Sequence, residues 1–221
     1  MVEFQPSKLA AWVRFPSPAP NEEGRTVLCD LFCRNFLSGG EVLLKTLIIR
    51  HGETDWNRAH KLQGTKDIPL NEVGLAQAET AYEALKDKEI DVAFCSPLIR
   101  TKQTAEVILR GRDVPIIYDE RIVERRFGVA EGTSISDIDF ENSWLPGRQP
   151  IYDGMETFEQ LYDRIADFFD DVYKKYPDKT VLVITHGGVS IVCGYYFLGP
   201  PKTDRREYFC KNCVVKEYVK E

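Results

Sequence analysis

The sequence predicts an α/β fold with a mostly parallel sheet, and three features carry that reading. "TLIIRH" and "TVLVITH" are short, continuous apolar runs, the pattern of strands buried on both faces. Segments with helical spacing alternate with such runs from residue 44 to residue 219. Both of the most apolar runs end in a histidine followed by glycine, His51-Gly52 and His186-Gly187. Two imidazoles therefore fall at the carboxyl edge of the sheet, where open α/β sheets hold their ligands.

The elements follow in chain order. The first strand spans about 44–50 and leads into a polar loop. Asn71 is placed to cap a helix running to about 86, with Ala76, Ala78 and Leu85 among its small or apolar positions. "DVAFCS" is a second strand, "LIRTKQTAEVIL" a second helix and "VPIIY" a short strand; residues 121–154, with their Gly and Pro, read as a loop excursion. In "TFEQLYDRIADFFDDVYKKY" the residues Phe158, Leu161, Tyr162, Ile165, Phe168, Phe169 and Val172 recur on one buried helical face. Thr157 can cap that helix and Pro177 follows its end. "TVLVITH" is the next strand, "GGVSIVCGYYFL" a helix, and "CVVKEYV" a last strand whose alternation suits a sheet edge.

A chain of 221 residues holds one sizeable core. Its 43% apolar and 29% charged residues are ordinary for a globular protein, and a net charge of −6 argues against a nucleic-acid or membrane-surface partner. No run reaches the ~20 apolar residues of a membrane span. The six cysteines, Cys29, Cys33, Cys95, Cys193, Cys210 and Cys213, are scattered and no secretory signal precedes them, which predicts reduced thiols and a cytoplasmic setting. Cys29/Cys33 and Cys210/Cys213 could combine into a four-thiolate zinc site, but "CKNCVV" more simply leads into a strand.

Chemistry concentrates around the two strand-end histidines. Of the three histidines only His60 lacks the Thr-apolar-His-Gly context, and it reads as a solvent-facing loop residue. Arg50 precedes the first histidine, and Arg100 stands just beyond the second strand in "CSPLIRTKQTA". Guanidinium groups grip phosphate oxygens in bidentate fashion, so two converging on one pocket imply a dianionic phosphoryl group.

"RHGETDWN", "LQGTKDIPLNEVGLAQA", "CSPLIRTKQTA", "ERRFGVAEG" and "ITHGG", in that order, resemble the histidine phosphatase superfamily, the branch that includes cofactor-dependent phosphoglycerate mutases. The resemblance covers about 44–219. It implies a phosphoglycerate mutase-like, three-layer α/β/α fold with a mostly parallel central sheet and one antiparallel edge strand. It makes His51 the nucleophile that accepts the phosphoryl group, and places Arg50, Arg100 and His186 around the phosphoryl oxygens. Glu124 of "ERRFG" matches the family's proton donor, while Asn57, Gln63, Gly64 and Gly187 match positions that bind substrate. No cofactor is implied. Nor is a metal, because the cationic side chains supply the positive charge and no carboxylate cluster has clean metal-ligand spacing.

The same resemblance leaves three activities. A mutase retains its bisphosphate intermediate under a larger insertion than the stretch Val129 to Gly154 that separates "ERRFG" from "GMETF". The shorter cover favours a phosphatase, a histidine acid-type phosphoric monoester hydrolase acting on a small phosphorylated metabolite, because water reaches the phosphohistidine. The alternatives are a mutase and a non-catalytic phosphate-sensing module. "SWLPGRQPIYDGME" is expected to shape the leaving-group side, with Trp144, Arg148 and Tyr152 as candidates, or to be an ordinary surface loop.

Residues 1–42 read as an N-terminal extension, not native or disordered, and 43–221 as the histidine phosphatase domain. "WVRFPSPAP" can be written in codons that spell GGGTTCGATTCCC and end in CCA, like the T-arm and 3′ end of a transfer RNA gene. "GGE" can be written as a GGAGG ribosome-binding site a few nucleotides before Leu43, whose codon TTG is an alternative bacterial start. The expected N-terminal peptide from the native host therefore begins at Leu43, read as methionine, and deletion of 1–42 should leave activity intact. A native peptide containing Trp12 or Cys29 would refute this reading.

Overall fold

The computed structural model describes residues 44–145 and 147–220. Along them run β1 (Leu44–Arg50), α1 (Asp55–Arg58), α2 (Glu72–Leu85), β2 (Val92–Cys95), α3 (Ile99–Ile108) and β3 (Ile116–Tyr118). After an irregular stretch come α4 (Phe140–Ser143), α5 (Phe158–Lys175), β4 (Thr180–Thr185), α6 (Gly187–Leu198) and β5 (Val215–Lys220). The five strands form one sheet in the order β3-β2-β4-β1-β5. Every pairing is parallel except that of β5 with β1, which is antiparallel and closes one edge.

The continuous apolar runs have a simple cause: the central strands are covered on both faces. Leu44 and Ile48 join Val92, Phe94, Val181 and Val183 in one apolar cluster with α5 and α6. Leu47 and Ile49 join Ala93, Cys95, Leu182 and Ile184 in another, against α2 and α3. Successive side chains point to opposite faces, so each run feeds both layers and the architecture is three-layered, α/β/α.

Local signals set the helix ends. Asn71 accepts from the Gly74 N–H and starts α2, and Thr157 exchanges bonds with Gln160 in a capping box that starts α5. The buried face of α5 is the one its spacing predicted, Phe158 through Val172, except that Tyr162 packs at its margin and stays half-buried. The one-turn helix α1 is an addition, closed by Thr54 and Asn57. The excursion at 121–154 is also more ordered than a loop: it holds two 3-10 turns, Gly128–Ala130 and Ile135–Asp137, besides α4. These elements are too short for a period to register. Residues 1–42, including Cys29 and Cys33, lie outside the described residues.

Two features position the site. β1 and β4 are neighbours, yet the long helix that follows β1 packs on one face of the sheet and the helix that follows β4 packs on the other. A crevice opens between their carboxyl ends, the topological switch point of an open α/β sheet. The loop leaving β1 is then held by a backbone-to-backbone contact, because a Cβ on Gly52 or on Gly74 would overlap the backbone opposite. Gly74→Ala should therefore cost about 1–3 kcal/mol, the usual scale of overpacking. The urea unfolding midpoint reads that loss, and turnover should fall with it because Gly52 carries the acceptor for the His51 ring.

Candidate active site

His51 follows β1 directly, and its backbone N–H donates to the Thr185 carbonyl at 3.0 Å, carrying the β1–β4 register one residue past the strand. Its Nδ1 lies 2.7 Å from the Gly52 carbonyl. A carbonyl only accepts, so Nδ1 carries the proton and Nε2 keeps its lone pair. From the other side, Asn212 donates to the His51 carbonyl at 2.7 Å. The ring is 2% exposed. Burial, then the positive charges of Arg100 and Arg50, push its pKa well below the ordinary histidine value. His51 is thus a buried, neutral imidazole with a free nucleophilic nitrogen.

His186 follows β4 in the same way, its ring centroid 5.3 Å from that of His51. Arg100 donates through Nε to His186 Nδ1 at 3.3 Å, and the opposite nitrogen, Nε2, lies 2.8 Å from Ser96 Oγ. Arginine has no acceptor, so in this state Nδ1 accepts and Nε2–H donates to the serine. Burial first, then Arg100, His51 and Arg50, hold His186 well below its ordinary pKa too.

Arg100 is fully buried in the first turn of α3. Its Nη1 donates to the Lys66 carbonyl at 2.6 Å and its Nη2 to the Gly64 carbonyl at 2.8 Å. Gly64 turns that carbonyl inward with φ of +51°, a conformation glycine adopts without strain. Burial lowers the Arg100 pKa to about 10. Arg50 ends β1 with its guanidinium over the Phe209 ring at 4.9 Å, and its Nε is buried without a partner. Among the described residues neither arginine forms an ion pair with a carboxylate. Two uncompensated guanidinium groups make an anion site.

Glu124 lines the same cavity as His51. Its Oε1 accepts from the Arg125 backbone N–H at 2.9 Å and its Oε2 from Gly188 N–H at 3.1 Å. The backbone beneath it is fixed by Arg164, which donates to the Glu124 carbonyl at 3.2 Å while gripping buried Glu156 at 2.7 and 3.0 Å. Arg125 points away from the cavity: its guanidinium binds the Glu156 carbonyl and lies over Trp144 at 4.7 Å.

Each sequence-predicted site residue lines one cavity of about 280 Å³ except His186, whose ring is sealed behind Arg100. Asn57, Gln63, Gly64 and Gly187 are all on its wall. A Cβ on Gly187 would press on Phe209 and come within 3.4 Å of Arg50 Nε, so glycine there admits the guanidinium. His60 is exposed, as its context predicted. Of the three residues proposed for the leaving-group side, Trp144 lines the cavity, whereas Arg148 and Tyr152 do not. Sequence reasoning did not single out Ser96, Gly188, Glu141, Arg205 or Phe209. Ser96 and Gly188 lie inside motifs already noted; Glu141, Arg205 and Phe209 carry no local signal and enter the cavity through tertiary packing.

A switch-point crevice with paired histidines and uncompensated arginines defines a protein that handles phosphoryl groups. The model of the histidine phosphatase superfamily (branch 1) matches residues 46–219, and the chain belongs to that family. Among its relatives is the protein named uncharacterized phosphatase PhoE of Bacillus subtilis, 41% identical over 140 residues, 63% of this chain and 70% of that one. Another is the metal-independent phosphoserine phosphatase of Arabidopsis thaliana, 36% identical over 65% of this chain and 64% of its own. Bacillus stearothermophilus YhfR shares the fold with a TM-score of 0.71 and 27% identity, over 79% of this chain and 90% of that one. The phosphoserine phosphatase of Entamoeba histolytica, solved with 3-phosphoglyceric acid, gives 0.68 and 27%, over 79% and 89%.

The buried histidines tie stability to pH. With folded pKa values well below 6.5, both stay neutral in the native state while the unfolded chain takes up protons. Their contribution is fully present above pH 6.5, the unfolded value, and is lost as pH falls from there toward the folded pKa values. The unfolding free energy should drop by up to about 1.4 kcal/mol per pH unit for each histidine. Urea midpoints between pH 7 and 5 measure the slope, and His51→Asn and His186→Asn should each flatten it.

Proposed function

We propose that the protein is a phosphomonoesterase that hydrolyses a small phosphorylated metabolite through a phosphohistidine on His51, with Glu124 as general acid and base. The observation that carries this reading is the free Nε2 of His51 beside two guanidinium groups without carboxylate ion pairs, buried Arg100 and half-buried Arg50. A phosphate ester is the dianion that such a site compensates. The relatives named as phosphatases support the reaction class.

The steps follow from the donors and acceptors. Arg50 and Arg100 draw the phosphoryl oxygens into the crevice, with the Asn57 amide nitrogen, which has no bond among the described residues, as a further donor. The Ser96 hydroxyl can donate as well as accept, so His186 can exchange tautomers and present Nδ1–H to an oxygen that displaces Arg100 Nε. The His51 lone pair attacks phosphorus, the P–O bond to the leaving group breaks, and protonated Glu124 gives its proton to the departing oxygen. Water then enters. Glu124 takes its proton, its oxygen attacks phosphorus, the P–N bond breaks and inorganic phosphate leaves. Throughout, cationic side chains supply the charge stabilisation. Four unpaired thiols, Cys95, Cys193, Cys210 and Cys213, accord with action in the cytoplasm.

Incubation with p-nitrophenyl phosphate, and separately with 3-phosphoglycerate plus its bisphosphate, tests the reading: phosphate release without isomerisation is expected. His51→Ala should abolish turnover and the covalent phosphate that a rapid acid-free quench traps on the wild type. Glu124→Gln should lower turnover of an alkyl phosphate by roughly 100-fold or more. The loss on p-nitrophenyl phosphate should be much smaller, since that leaving group departs without a proton. Equal losses on both esters would remove Glu124 from the acid role.

A further inference from the structure

We propose that the cavity contains a second anion subsite centred on Arg205, so that the preferred substrate carries a carboxylate or similar anionic group on its leaving-group portion. The inference rests on the phosphatase reading for which end of the ligand faces His51.

The geometry places Arg205 on the leaving-group side. Glu124, the proposed acid, is held by Gly188 N–H, and the edge of the Trp144 indole closes on the same glycine, its Cη2 being 3.0 Å from where a Cβ would stand. Arg205 lies over the Trp144 ring at 5.7 Å. An ester oxygen beside Glu124 is therefore separated from the Arg205 guanidinium by one indole, with both groups on the wall of the same cavity.

Arg205 is also fixed and replaceably paired. Its side chain is 13% exposed, and its partner across the cavity is Glu141 of α4, 2.6 Å away but 66% exposed. Its neighbour Arg206 is instead exposed and paired with Asp204, two residues away, through bonds of 2.9 and 2.8 Å. Glu141 thus acts as an internal stand-in for a ligand anion. Because the Glu141 half of the pair is solvent-exposed, a substrate carboxylate can displace it by exchanging one carboxylate for another, and it inherits a half-stacked, preoriented guanidinium.

Non-hydrolysable ligands test this without turnover. Calorimetry compares 3-phosphonopropionate, which carries a carboxylate, with propylphosphonate, which lacks it. The wild type should bind the first about 10-fold or more tightly, the scale of a charge-assisted hydrogen bond. Arg205→Met should bring the ratio near one while propylphosphonate still binds as before. Glu141→Gln should widen the ratio by up to about 5-fold, and only when Arg205 is present. A ratio that Arg205→Met leaves unchanged, or a Glu141→Gln effect equal in both backgrounds, overturns the subsite. Should Arg205→Met not fold, an unchanged ratio in Glu141→Gln overturns it alone. An Arg205-dependent ratio in a protein that cannot hydrolyse p-nitrophenyl phosphate would sink the phosphatase reading and leave the subsite standing.

Discussion

Two guanidinium groups without a carboxylate ion pair, Arg100 fully buried and Arg50 partly so, are the constraint around which this molecule is arranged. Taking a cation out of water is costly unless dipoles or an anion replace the solvent. For Arg100 the dipoles are present: the carbonyls of Gly64 and Lys66 and the Nδ1 of His186 surround it. They reduce the cost without neutralising the charge. Burial, reinforced by the remaining positive potential, keeps both histidines neutral, and that potential leaves the crevice ready for a dianion. A carboxylate in that place would stabilise the fold and occupy the site.

The proposed nucleophile and the proposed acid are held by different means. His51 and His186 extend two paired parallel strands, so their separation follows from the register in which Arg50 lies opposite Thr185. Glu124 sits on irregular chain between β3 and the excursion, where no ladder defines its place. Its carboxyl is held by two backbone N–H groups, and its carbonyl by Arg164, which is itself clamped on Glu156. Glu156 is 2% exposed, so the ion pair beneath the acid is shielded from solvent screening.

The cavity divides by chemistry. Around His51 the groups are cationic and buried, suited to one demanding anion. Toward Trp144 and Phe209 the wall becomes aromatic, with charges already paired at its rim. That side comes from α4 and from the 3-10 turn at Arg205–Tyr208, both short and only partly buried. Such elements tolerate change more readily than the central strands.

The reading of strands and long helices held because each depends on local patterning, and the proposed catalytic groups were legible for the same reason. Doubly buried strands give continuous apolar runs, and α5 announces its face through Phe158 to Val172. The histidines betray themselves by ending matched strands, and Arg100 and Glu124 lie within ordered motifs. The one-turn helices α1 and α4 and the turns of the excursion left no such trace, being shorter than a helical period can register. The tautomers of both histidines follow from where the Gly52 carbonyl, Arg100 and Ser96 stand in space. Likewise, Glu141 and Arg205 lie 64 residues apart and meet only across the cavity. A residue's chemistry and its local period are written in the chain, whereas the company it keeps is set by packing between segments distant in sequence.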